Sequence, residues 1–320
     1  MKHKLFGSGT GLYASEIILG AANFGTRKGY GTGPGESEKI LKAYADAGGN
    51  FIDISDVYQF GEAEEIVGNF TKGQRSNFIL CSKYTRSSEP GPAISNFGNN
   101  RKSMRQAVEQ SLKRLNTDYI DIYMPHYDDG VTPLEEIAMG LQDLIREGKI
   151  LYAGLTNFPA WKASAIASST KLTALQIEYN LLQRTADREL IPMAKEFGLG
   201  LMMYSPLAGG LLTAKYRKGE PGRISQSTDA EYSEDVKTKL IIDELVAIAE
   251  KYSTTPGQIA FAWTLSKQAF PLLGARKLEQ FEQGIKSVEI NLTAEEITKL
   301  DALSAVSLGY PHDLLNTVRG

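Results

Sequence analysis

Cysteine is nearly absent. Cys81 is the one thiol in 320 residues, so no intramolecular disulfide framework can form, and the chain suits a reducing compartment. Histidine is almost as scarce: His3, His126 and His312 lie far apart, and none stands in a metal-ligand spacing. No metal site is expected. Long apolar runs are missing too, since nothing approaches the ~20 residues a membrane span needs. The opening MKHKLFGSGTGLYASEIILGAANFG has no apolar core of the signal-peptide kind and reads as a small hairpin or turn leading into a strand. Basic residues are spread along the chain rather than blocked together, and the formal net charge is −3. No field then favours nucleic acid or anionic lipid. These absences predict a soluble, cytoplasmic protein with neither a nucleic-acid nor a membrane partner. They leave its oligomeric state open.

What is present is a regular alternation. Apolar residues make up 42% of the chain, enough for one large core. Short apolar runs (EIILGA, NFIDI, NFILCSK, DYIDIYMPH, ILYAGLT, ALQIEY, LGLMMYS, AFPLLGA) are separated by longer amphipathic segments. In one of these, Met104, Val108, Leu112 and Leu115 recur at helical spacing. Near-continuous apolar strands between helices predict a parallel sheet covered on both sides. Eight such units in this length match a closed α/β barrel. The expected fold is a single (β/α)8 TIM-barrel domain over residues 1–320, with an N-terminal β-hairpin and long rim loops. GTGPGE, with Gly31, Gly33 and Gly35, is spaced GxGxG around Pro34 and follows a long loop. It does not fit the tight strand–turn–helix of a dinucleotide fingerprint.

Barrel enzymes place their chemistry where strands end, and here the strand ends are polar. They offer Asp53 and Tyr58, Lys83, His126, Thr156 and Asn157, Gln176, Tyr204 and Ser205, then Gly274, Arg276 and Lys277. Singly, each has an ordinary structural reading: Tyr58 a rim aromatic, Lys83 and Asp53 a strand-end ion pair, His126 a core histidine, Cys81 a small apolar filler. Together, the first four can transfer a proton. A lysine ammonium beside a phenol is expected to lower its pKa from the ordinary value of about 10. Asp53 would hold the lysine charged, and His126 could orient a carbonyl.

Several motifs in order resemble the aldo-keto reductases, in the branch of aryl-alcohol-dehydrogenase-like reductases and potassium-channel β-subunits. They are GGNFIDISDVYQFGEAEEIVG, NFILCSK, DYIDIYMPH, GKILYAGLTNF, LQIEYNLLQR, YSPLAGGLLTAKY and LLGARKLEQF. The resemblance implies an NADPH-dependent reduction of aldehydes or ketones to alcohols, with NADH possible, on a small-molecule carbonyl substrate. Tyr58 would be the general acid, Lys83 and Asp53 its tuners, and His126 the orienter of the carbonyl. Thr156, Asn157 and Gln176 would hold the nicotinamide carboxamide, and Tyr204 would stack on its ring. Ser205, Pro206, Leu207, Gly209, Leu211 and Lys215 would follow the phosphates. Gly274, Arg276, Lys277 and Gln280, with Arg223, would take the adenosine end, the last helix offering its N-terminal amides to an anion.

Two departures stand out. Gln283 and Gly284 replace the family's usual Glu and Asn in the last helix, and Ala214 replaces a usual glycine. Substrate choice is expected in three rim segments, YTRSSEPGPAISNFGNN, RKGEPGRISQSTDAEYS and SLGYPHDLLNTVRG, with Tyr84, Phe97 and Tyr310 as aromatics. Tyr127 and Asp128 are expected to face the mouth. The competing class is an NADP(H)-binding, redox-sensing regulatory subunit of a partner such as a channel.

Overall fold

A computed structural model describes residues 1–220, 222 and 233–319. The hairpin comes first, with β1 (His3–Leu5) antiparallel to β2 (Tyr13–Ser15). Eight strands follow: β3 (Ile18–Gly20), β4 (Phe51–Asp53), β5 (Ile79–Tyr84), β6 (Ile120–Pro125), β7 (Ile150–Thr156), β8 (Leu172–Glu178), β9 (Gly200–Tyr204) and β10 (Phe270–Gly274). They close into a barrel in chain order, with β10 against β3. The helices are α1 (Pro34–Asp46), α2 (Glu62–Thr71), α3 (Arg101–Leu115), α4 (Leu134–Arg146), α5 (Ala160–Ser169), α6 (Leu190–Glu196), α7 (Val236–Lys251), α8 (Pro256–Leu265), α9 (Leu278–Ile285), α10 (Ala294–Ser304) and α11 (His312–Arg319). The expected barrel and hairpin are what the chain forms. Among the described residues no helix is long and apolar enough to cross a membrane.

By packing, the chain forms two compact units. The first comprises Met1–Ile177, Met193–Met202 and Leu272–Glu282. Its strands β3 to β6 are buried at every residue, which is why they read as unbroken apolar runs rather than alternations. On α3, Met104, Val108 and Leu115 are buried, while Leu112 is only half-buried and Ser111 takes the inner place. Asn100 caps that helix by accepting from the Ser103 N–H at 3.0 Å. Gly31 takes φ +118°, and a side chain there would strike the Gly25 carbonyl. That loop glycine serves a close backbone approach, not a phosphate turn.

The second unit comprises Glu178–Pro192, Met203–Pro271 and Gln283–Gly320. Tyr179 stacks on the buried Trp263 with ring centroids 5.7 Å apart, and Arg184 covers the indole at 5.1 Å. Asp301 accepts from Trp263 Nε1 at 3.0 Å and from Lys267 at 2.6 Å. Capping boxes start α8 (Thr255 with Gln258) and α10 (Thr293 with Glu296). The segment expected as a C-terminal rim loop contains α11, and α10 precedes it, an element with no place in the strand–helix count.

Tyr44 of α1 ties the hairpin to the barrel. Its hydroxyl lies 2.8 Å from Ser15 Oγ, from the Ile17 carbonyl and from the Phe51 carbonyl, and it accepts from the Phe51 N–H at 3.1 Å. Tyr44→Phe keeps the buried ring but strips these groups of a partner. It should cost about 1–3 kcal/mol of unfolding free energy in urea titration, with the barrel's circular dichroism unchanged.

Candidate active site

Asp53 closes β4, and parallel pairing sets it opposite Cys81 of β5. Two residues on, Lys83 reaches back to the neighbouring strand. Its Nζ donates to Asp53 at 2.6 and 2.7 Å and to the Ile54 carbonyl at 2.8 Å. Both side chains are essentially inaccessible. Burial works against the Lys83 charge, but Asp53, then Tyr58 and Cys81, outweigh it and hold the ammonium above its ordinary range. Gln176 was expected to reach a nicotinamide amide. Its Nε2 donates to Asp53 Oδ1 at 2.7 Å, so it also braces the ion pair. Cys81 is buried, and burial pushes its thiol well up, consistent with a filler.

Tyr58 follows β4 on a tight turn in which Gln59 (φ 50°), Phe60 (φ 54°) and Gly61 (φ 86°) are all left-handed. Two of these are not glycine, and each costs roughly 1–2 kcal/mol. The turn is held from outside: Gln59 is fully buried, and its Oε1 accepts from the Lys28 N–H at 2.9 Å. The result sets the Tyr58 ring against Lys83, with Nζ 5.3 Å from the centroid, and edge-on to His126 at 5.7 Å.

The expected fall in the phenol's pKa is corrected here. Burial is the larger effect and pushes Tyr58 up to about 12, against the pull of Lys83. Tyr58 therefore holds its proton at neutral pH, as an acid must before it donates.

His126 stands just beyond β6. Its N–H donates to the Tyr84 carbonyl at 2.8 Å and to Thr85 Oγ1 at 3.0 Å. Burial, with the charges of Lys83, Arg86 and Lys28, pulls its imidazole down to about 3, so the ring is neutral. Ser55 Oγ lies 3.1 Å from His126 Nδ1, and Asp56 stands beside it, buried. Sequence reasoning passed over Ser55 and Asp56. The signal was the polar pair continuing ISDVY past the strand end, with no spacing to give it meaning. Tyr84 is also corrected: it is no rim aromatic but is wholly buried, stacked on Tyr123 at 5.3 Å.

Thr156, at the end of β7, is fully buried, and its Oγ1 has no hydrogen-bond partner. Such an orphan is costly unless a ligand satisfies it, which fits a carboxamide. Asn157 is left-handed (φ 57°), and its Nδ2 donates to the His126 carbonyl at 2.9 Å.

At the start of α9, Glu36 accepts from the Leu278 N–H at 2.8 Å, and Gln280 Oε1 accepts from the Arg276 N–H at 3.0 Å. The expectation that these amides await a phosphate is corrected: protein groups already occupy both. Arg276 is half-buried, Lys277 and Gly274 exposed. In the second unit, Tyr204, Ser205, Leu207, Gly209, Leu211 and Lys215 are half-buried and Pro206 is buried. Ser205, Ala208, Gly209, Gly210 and Ala214 all have positive φ there. Ala214 thus adopts, at a steric cost, the turn expected to need glycine. Arg223 and most of its rim segment lie outside the described residues.

A cavity of about 710 Å³ in the first unit is lined by Val57 and Phe60 on either side of Tyr58, and by Phe97, Lys28 and Arg86. Lys28 lies over the Phe60 ring at 4.7 Å. Neither Lys28 nor Arg86 makes an ion pair among the described residues. Burial, then the like charge of Arg86, lowers the Lys28 ammonium. Asp128, expected at the mouth, pairs with Lys162 at 2.6 Å.

Residues 16–305 match the aldo/keto reductase family. The chain is 30% identical to the aryl-alcohol dehydrogenase [NADP(+)] of Phanerodontia chrysosporium, over 97% of this chain and 88% of that protein. It is 31% identical to the norsolorinic acid reductase of Aspergillus flavus, over 98% and 84%. It is 34% identical to the uncharacterized oxidoreductase YrpG of Bacillus subtilis, over 91% and 93%.

The site also makes a statement about acid stability. Below about pH 6.5 an unfolded histidine takes a proton that buried His126, at about 3, does not, so this group makes stability rise with pH through that window. Asp56, pushed up to about 7 by burial and then by Glu64, has the opposite sign. It is protonated when folded but ionised when unfolded above about pH 4, so its contribution is lost as pH rises toward 7. Relative to wild type, His126→Gln should lose stability between pH 4 and 6.5 and Asp56→Asn should gain it. Each slope is at most about 1.4 kcal/mol per pH unit by urea titration.

Proposed function

The chain belongs to the aldo/keto reductase family, oxidoreductases that act on carbonyl and alcohol groups, and from that premise we propose that it reduces an aldehyde or ketone with NADPH, Tyr58 giving the proton. The observation that carries this reading is one phenol that keeps its proton beside a fixed positive charge and a neutral imidazole. Tyr58 donates to the carbonyl oxygen, and the phenolate left behind is stabilised by Lys83, which Asp53 and Gln176 hold in place. An N–H of neutral His126 orients the same oxygen. A reduced nicotinamide, when bound, supplies the hydride.

The orphaned Thr156 hydroxyl, with Asn157, would take the carboxamide. Tyr204 would take the ring, and the segment from Ser205 to Lys215 the phosphates. Arg276 and Lys277 would take the adenosine 2′-phosphate. The NADP(+) in the Phanerodontia protein's name supports that cofactor preference.

The cavity narrows the substrate. Phe60 and Phe97 offer an apolar wall, while the cations Arg27, Lys28 and Arg86 outnumber the one carboxylate of the lining, Glu89, and neither Lys28 nor Arg86 makes an ion pair among the described residues. An aromatic carbonyl compound bearing a carboxylate would stack on the first and neutralise the second.

NADPH oxidation with 4-carboxybenzaldehyde and with its methyl ester, in wild type and Tyr58→Phe, tests both parts. The substitution should cost about 10²–10⁴ in turnover of either substrate, with NADPH binding by fluorescence nearly unchanged; parallel loss of binding contradicts the role of Tyr58. The carboxylate should have a KM about tenfold lower at low salt, converging with the ester as salt rises. Equal KM values remove the acidic-substrate claim and leave the reductase standing. Arg276→Ala should raise the Kd for NADPH about tenfold and hardly change that for NADH; equal weakening would show that Arg276 does not read the 2′-phosphate.

A further inference from the structure

Asp56 takes no part in the scheme above, yet it is buried against the site. It is 1% exposed, and its Oδ2 has no hydrogen-bond partner. Its Oδ1 lies 3.2 Å from Ser55 Oγ, which is 3.1 Å from His126 Nδ1. The Val57 N–H also points at Ser55 Oγ, at 3.4 Å. A serine hydroxyl has one proton to give and two lone pairs to offer. With Val57 on one lone pair, Ser55 has one proton and one lone pair left for two neighbours. If it donates to one of them, it must accept from the other.

The chain Asp56–Ser55–His126 therefore has two complete arrangements. With Asp56 ionised, Ser55 donates to the carboxylate and accepts from an Nδ1–H, leaving His126 Nε2 bare. With Asp56 protonated, the carboxylic acid donates to Ser55, Ser55 donates to Nδ1, and the ring hydrogen stands on Nε2. A carbonyl oxygen has only lone pairs, so it is oriented by Nε2–H and repelled by a bare Nε2.

We propose that Asp56, acting through Ser55, is a positioning residue that sets the tautomer of His126, its protonated form readying the site for carbonyl reduction and its ionised form withdrawing the hydrogen. The functional meaning rests on the reductase reading; the tautomer does not. The surroundings put the switch in the working range. Burial, then Glu64 of α2, push Asp56 up to about 7, while Arg114 of α3 and then Ser55 pull it down. Glu64 is itself held by Arg114 at 2.7 Å and Ser82 at 2.6 Å. Asp56 is also felt by Tyr123 on β6, whose hydroxyl is unpartnered, by Tyr127 beyond β6, and by Lys28 in the loop after β3. Because His126 itself stays neutral down to about 3, a tautomer change near neutrality cannot be confused with ring protonation.

The test is long-range ¹H–¹⁵N spectroscopy of histidine-labelled protein from pH 5.5 to 8.5. With only three histidines in the chain, the His126 signals are those missing from His126→Gln. Wild type should pass from Nε2–H to Nδ1–H with a midpoint near neutrality. Asp56→Asn, whose amide can donate to Ser55 at every pH, should stay Nε2–H throughout, and Ser55→Ala should lose the pH-dependent exchange. One tautomer across the range in wild type, or an exchange that survives in Ser55→Ala or Asp56→Asn, overturns the proposal. Should Asp56→Asn not fold, Ser55→Ala decides alone. In kinetics, kcat/KM for aldehyde reduction should fall above neutral pH in wild type and lose that limb in Asp56→Asn. A rate profile that ignores the exchange overturns the gating role. If no aldehyde is turned over, the reductase reading fails while the spectra still report the relay.

Discussion

The buried ion pair of Lys83 with Asp53 is the constraint on which the rest of the site depends. Taking two charges out of water costs several kcal/mol for each ion. The cost is met because all three Nζ donors are used, two on the carboxylate and one on the Ile54 carbonyl, and because Gln176 also donates to Asp53 Oδ1. Such a pair tolerates no slack. Parallel registers between β4, β5 and β6 fix its partners, and the barrel supplies the rigidity that a loop would lack. In exchange the fold gains a permanent positive charge in a dry place, and that one charge acts on Tyr58, His126 and Cys81 together.

Around the pair, burial sets the titration states and the charge only trims them. It keeps the proton on Tyr58 and off His126, raising one and lowering the other. That division suits a site where one group donates a proton and another only orients. Asp56 belongs to the same logic, a carboxyl whose titration is moved up to about 7 by lack of solvent and by Glu64. The strained turn at Gln59 and Phe60 completes the arrangement: backbone energy is stored where Tyr58 must be aimed, and Gln59 is clamped from the loop that follows β3.

Some of this was legible in the chain. The eight apolar runs, most of them followed by polar residues, gave the barrel and its rim, because a parallel strand buried on both faces must read as a continuous run. Asp53, Tyr58, Lys83 and His126 come together as a cluster as their strand-end positions imply. What could not be read was partnership. Nothing in the sequence said that the Gln176 amide would donate to the Asp53 carboxylate. Glu36, far from α9 in sequence, occupies an amide that looked open. Tyr84 follows Lys83 directly, yet alternation turns it into a packed layer against Tyr123.

The sequence by itself determined the strand and helix periods, the polar strand ends and the family motifs, since these depend on local pattern and on residue chemistry at fixed spacing. Only the tertiary structure decided how far each group is from water and which neighbour holds which proton. A pKa is set by burial and by charges brought in from distant segments. The direction of Tyr58's shift, the neutrality of His126 and the two-way valence of Ser55 therefore exist only once the chain has closed.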